Sequence, residues 1–145
     1  MSGQVQTYLN FDGRAEEALN FYAEVFNSKI EGIMRWGDME GNTLPKSAKN
    51  LVMNAQLFIL GGHSVMCADV LDPSIDPMFE KYDVGNAITV VLSPETRAEA
   101  DRLFAALSEG GTAQMPMEEA FWGDYFGQLF DKFGIPWMIV TKAKS

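Results

Sequence analysis

The chain predicts an α+β fold in which one strand–helix–strands unit is written twice. Three observations carry this. Residues 10–26 read as a strand end, a capped helix and a stop, and residues 88–107 repeat that order. Strand-like segments follow each helix. No other segment has a strong helical pattern. Each half is small for burying a sheet face by itself, so the two are expected to share a core, with a ligand cleft between them.

The first unit is expected over residues 1–69. Residues 4–11 alternate, with Val5, Thr7, Leu9 and Phe11 on one face and Gln6, Tyr8 and Asn10 on the other. That period of two is a half-buried strand. Asp12-Gly13 supplies a turn and a cap, and Glu16 and Glu17 suit the positive end of the helix dipole. Ala15, Ala18, Leu19, Tyr22, Val25 and Phe26 form one apolar helical stripe, which Asn27-Ser28 ends. Residues 30–36 read as a strand and residues 37–50 as a polar loop. Residues 51–68 read as a hairpin turning at Gly61-Gly62.

Residues 70–85, with Pro73, Pro77 and several aspartates, read as a linker. The second unit, residues 86–145, opens with the near-continuous apolar run of a buried strand over 86–92. Ser93-Pro94-Glu95 reads as its helix start, with a cap serine and a proline at the first helical position. Ala100, Leu103, Phe104 and Leu107 supply the stripe, and Gly110-Gly111 stops it. Residues 112–117, 125–130 and 136–141 read as strands, Pro136 being tolerated at a strand's first residue.

At 145 residues and 47% hydrophobic content the chain fits one domain of ordinary size. A formal charge of −9 argues against nucleic acid and against an anionic membrane surface as partners. The single cysteine, Cys67, excludes an intrachain disulfide and a thiolate zinc cluster, and fits a reducing compartment. No apolar stretch approaches the length of a membrane span, and the reading is cytoplasmic. Phosphate-binding, dinucleotide-binding and nucleophile-elbow motifs are missing, and no cofactor is expected.

Tyr8-Leu9-Asn10-Phe11-Asp12-Gly13 with Glu16-Glu17-Ala18-Leu19-Asn20-Phe21-Tyr22 resembles the opening of PhnB-like proteins. These form a branch of the glyoxalase/bleomycin-resistance/dioxygenase, or vicinal oxygen chelate, superfamily. The tail resembles the same family's closing strands: Met115-Pro116-Met117, Phe121-Trp122-Gly123, Phe126-Gly127, Asp131-Lys132-Phe133-Gly134 and Trp137-Met138-Ile139. The resemblance implies two βαβββ modules forming a cupped mixed sheet with helices on its outer face. It also implies a homodimer and pockets inside the cup. Metal-using members take ligands from the first and last strand of each module. Those positions fall near Gln6 or Thr7, at Asp69, near Ala87 and at Met138, a set too poor in nitrogen and oxygen donors for a catalytic metal.

The ligand-facing candidates are Gln6, Tyr8 and Asn10 in one row, Cys67 and Asp69 at its edge, and Trp122 beside Gly123 at a rim. Cys67 reads as a thiol nucleophile or as an inert buried residue, and Asp69 as a general base or as a cap. His63 reads as a solvated turn residue, and Trp137 as core beside Ile139. No catalytic residue is assigned. The expected function is binding of a small, largely apolar or aromatic metabolite without a catalytic metal. The alternatives are an atypical vicinal-oxygen-chelate enzyme (a lyase, isomerase or dioxygenase) and a ligand-free interaction module.

Overall fold

The computed structural model describes residues 3–144. The chain divides into two compact units, the first ending at Asp83 and the second beginning at Val84. The outer bounds expected for the repeats, Met1 and Ser145, lie outside the described residues. In the first unit β1 (Thr7–Phe11), β2 (Glu31–Arg35), β3 (Val52–Phe58) and β4 (Ser64–Asp69) form a sheet in the order β1-β4-β3-β2. In the second, β5 (Val90–Leu92), β6 (Thr112–Glu119), β7 (Tyr125–Phe130) and β8 (Pro136–Thr141) take the order β5-β8-β7-β6. In each sheet the first strand runs parallel to the last, and the remaining pairs are antiparallel. The class is α+β, and the same path is walked twice.

Each unit has helix-covered core residues of its own. Helix α1 (Ala15–Val25) buries Ala15, Ala18, Leu19, Tyr22 and Val25. Beneath it Leu9, Phe11, Ala55, Leu57, Val65 and Cys67 are buried on one face of the first sheet. After the one-turn helix α2 (Lys46–Lys49), helix α3 (Arg97–Ser108) covers the second sheet. It buries Ala100, Leu103 and Leu107 above Leu129, Trp137 and Ile139. Each large side chain so buried contributes about 1.5–3 kcal/mol. Gly127 makes the close approach possible, because a Cβ there would meet the Met117 Sδ at 2.6 Å and the Phe104 ring at 3.0 Å.

Several boundaries differ from expectation, each for a local reason. Strand β1 begins at Thr7, because pairing with β4 starts at Thr7–Val65, and Val5 beyond it is 86% exposed. Helix α3 is capped by Thr96, not Ser93: Thr96 is extended, and its hydroxyl accepts from the Glu99 N–H at 3.1 Å. Strand β5 is only three residues long and pairs with β8 alone, so Ile88 and Val91 stay exposed in place of a strand buried on both faces. The 37–50 loop carries α2, which seats Ala48 in the core. The stretch read as a linker is held to the first unit. Val70 donates to the Phe11 carbonyl at 2.8 Å, Phe79 meets Trp36 edge-on at 5.7 Å, and the Tyr82 hydroxyl donates to the Asn10 carbonyl at 2.9 Å.

Candidate functional site

With a helix over one face of each sheet, the opposite face is left open, and strand register decides what it presents. In the first sheet, Tyr8 stands beside Met66, Met66 beside Gln56, and Gln56 beside Glu31. In the second, Val91 stands beside Met138, Met138 beside Gln128, and Gln128 beside Met115. These rows are equivalent, strand for strand. Both centre on a glutamine paired with a methionine of the sheet's last strand.

The row expected to face a ligand is partly assembled. Gln6 lies just before β1, and its side-chain amide donates to the Ser64 hydroxyl at 2.9 Å. The Gln56 amide donates to the same oxygen at 2.5 Å. Tyr8 is 48% exposed on this face, and burial of its remainder, with the Cys67 thiol behind it, raises its phenol above the ordinary value. Asn10 follows on the same side and is exposed. A concavity of about 430 Å3 opens beside this row, walled by Met34, Met66, Asn54, Gln56 and Glu31.

Cys67 and Asp69 point the other way. Cys67 pairs in register with Leu9 and Ala55 in the core and has no exposed surface. Burial, and then the Asp69 charge, push its thiol up to about 12, so it stays protonated and inert at neutral pH. Asp69 is buried, and both its oxygens are taken. One accepts from the Ala15 N–H at 2.9 Å and the other from the Val52 N–H at 3.0 Å. Burial raises its carboxyl, against which the N–H groups of Val52, Ala15 and Gly13 pull it down. Of the two readings of Asp69, the cap is the one this geometry provides, for α1 across space. The register also corrects the position matched to Met138: it is Met66, not Asp69.

Trp122 belongs to the second unit, at the tip joining β6 to β7. Its ring meets Phe121 at 4.9 Å and Phe126 at 6.1 Å, and its indole N–H donates to Asp124 at 3.1 Å. Phe121 is 98% exposed and Trp122 56% exposed. Trp137 is buried, as its alternation with Ile139 requires, and its indole N–H donates to Asp131 at 2.9 Å. His63 is half-buried, its Nε2 lying 2.8 Å from the Thr7 hydroxyl, so it is more than a solvated turn residue.

Met66, Gln56, Ser64 and Gln128 were not foreseen. A signal for three of them stands in the chain: Gln-Leu-Phe occurs at residues 56–58 and again at 128–130, and a methionine follows each glutamine ten positions on. Among the described residues no three or more His, Cys, Asp or Glu side chains gather where they would hold a metal ion. The paired open-face residues of the first and last strands, Tyr8 with Met66 and Val91 with Met138, are a phenol, two thioethers and a valine, which do not suit a hard divalent cation.

A family model described as 3-demethylubiquinone-9 3-methyltransferase matches residues 3–140. The solved Pseudomonas aeruginosa protein PA1353 is 32% identical, with a TM-score of 0.83 over 99% of this chain and 100% of that one. A Bacillus cereus structure titled as a PhnB protein is 29% identical, with a TM-score of 0.76 over 96% of this chain and 99% of its own. A glyoxylase/bleomycin resistance protein/dioxygenase domain from Frankia sp. EAN1pec, at 17% identity and a TM-score of 0.66 over 100% of this chain and 95% of that one, shares the fold.

Proposed function

The chain belongs to this PhnB-like family, within the glyoxalase/bleomycin-resistance/dioxygenase superfamily, and from that premise we propose that it binds a small, largely apolar or aromatic metabolite on its open sheet faces, without a catalytic metal. The observation that carries the reading is the repeated row, in which a carboxamide and a methionine stand together on a face bounded by aromatic side chains. Apolar walls with a few placed polar groups suit small-molecule pockets, and thioethers make favourable contacts with aromatic rings. The family description names a methyltransferase, but this fold does not favour that chemistry here. Each sheet has a single parallel pair, so neither offers the run of parallel strands at whose switch point a Rossmann-type cofactor binds.

The test uses methyl-labelled methionine. A set of aromatic fragments is titrated into the labelled protein, and the nine methionine signals are followed by NMR. Saturable shifts at Met66 or Met138 are expected. Shifts confined to methionines on the helix side, or none with any fragment, would overturn the proposal.

Exposed Ile88, Phe121 and Trp122 support the homodimer that the resemblance implies, since large apolar side chains in the open are interface material. Sedimentation equilibrium should return twice the mass of one chain, 16.1 kDa. The monomer mass at micromolar concentration would rule the dimer out. The reading is of a cytoplasmic protein, and among the described residues no helix is long and apolar enough to cross a membrane.

A further inference from the structure

The second sheet carries a feature that the proposed binding reading leaves undefined, and on that reading this inference rests. A concavity of about 250 Å3 on its open face is lined by Asn86, Thr89, Gln114, Gln128, Phe130 and Pro136. Three of these are carboxamides and none is charged. No hydrogen bond within the protein engages the side-chain amides of Asn86, Gln114 or Gln128 among the described residues. Gln128 is half-buried between Met115 and Met138, two thioethers that give its amide little to bond to. Among the described residues the Ser28 hydroxyl is the one buried side-chain polar atom without a partner, so these amides reach solvent, and a ligand entering the concavity would replace the water on them.

We infer that Gln128 is a specificity-determining residue of a ligand site on the second sheet, and that the ligand is a neutral planar molecule carrying a carboxamide or lactam edge. A carboxamide sets an acceptor beside a donor, and its complement is another edge with donor and acceptor side by side, which it bonds twice. Gln114 and Asn86 extend the same chemistry across the concavity. Phe130 supplies the apolar wall for a ring. A carboxylate or phosphate ligand is disfavoured, because no cation lines the concavity and the chain's net charge is −9. The volume is below the roughly 300–1,000 Å3 of drug-sized pockets, which limits the ligand to one or two rings.

The experiment titrates the full chain with 2-naphthamide, 2-naphthoate and 2-methoxynaphthalene by ligand-observed NMR, in the wild type, Gln128→Leu and Gln114→Leu. Circular dichroism and the thermal midpoint establish that the variants are folded. The expected result is binding of the amide about tenfold tighter than of the carboxylate or the ether, with the preference lost in Gln128→Leu and reduced in Gln114→Leu. Equal affinity for all three probes, unchanged in Gln128→Leu, would overturn the assignment of Gln128 while leaving aromatic binding in place. Failure of every probe, together with failure of the wider fragment set, would remove both this inference and the binding reading beneath it.

Discussion

Asp69 is a buried carboxylate whose oxygens hold the ends of two elements, the first turn of α1 and the start of β3. Asp69→Asn turns one acceptor into a donor facing an N–H. The variant should lose about 2 kcal/mol, the cost of one unsatisfied buried group, read as a lower urea midpoint with an unchanged slope. A loss below about 0.5 kcal/mol would mean that the bonds contribute little. Cys67 gives a prediction in pH. Its thiol is raised from an ordinary 9.0 to about 12 by burial. Above its ordinary value the unfolded thiol releases its proton while the folded one keeps it, so the unfolded state binds fewer protons and stability falls as pH rises. The stabilising contribution is complete below pH 9.0 and lost on the way to about 12. The slope attributable to this group approaches about 1.4 kcal/mol per pH unit. Urea midpoints at about pH 8 and about pH 10 should therefore fall more steeply in the wild type than in Cys67→Ala, and parallel slopes would refute the burial argument.

At the scale of elements, the position of the α3 cap separates sequence pattern from structure. Thr96 accepts from the Glu99 N–H, whereas Ser93 lies before the helix. Thr96→Ala should cost about 1 kcal/mol in urea denaturation and Ser93→Ala a few tenths; the reverse order would restore Ser93-Pro94-Glu95 as the start. Only the Ser93-Pro94-Glu95 start was read from the sequence; the cap lies three residues later, where extended Thr96 precedes the first helical residue, Arg97. The helices and most strands could be read because burial on one side imposes its period on the side chains, as in Leu9 and Phe11 against Tyr8 and Asn10. The faces of β4 could not, because Ser64, Cys67, Ala68 and Asp69 are all buried and nearly every residue of the strand suits an interior. Cys67 and Asp69 were thus placed toward the ligand, while Met66, the β4 residue of the open row, went unnoticed. Pairing decided what alternation left ambiguous.

Across the whole molecule, the question of chemistry comes down to which atoms the open faces offer. A divalent cation with a catalytic role needs about three nitrogen or oxygen donors converging on it, with one position left open. The two equivalent rows offer Tyr8, Met66, Gln56 and Glu31 on one sheet, and Val91, Met138, Gln128 and Met115 on the other. Only Glu31 among them is a carboxylate. Thioethers favour copper(I) over magnesium, manganese or zinc. The net charge of −9 attracts cations to the surface in general, but that attraction is screened within about 8 Å at physiological salt and selects no site. Protein purified without chelator, incubated in turn with Mg, Mn, Fe(II), Ni and Zn and then desalted, should therefore retain far less than one equivalent of any of them. Its unfolding midpoint should not move when EDTA is added, because a metal bound only to the folded state would have raised it. Retention near one equivalent per chain, with a midpoint that falls on chelation, would show that the faces assemble a donor set these rows do not reveal. It would make vicinal-oxygen chemistry the activity to assay first.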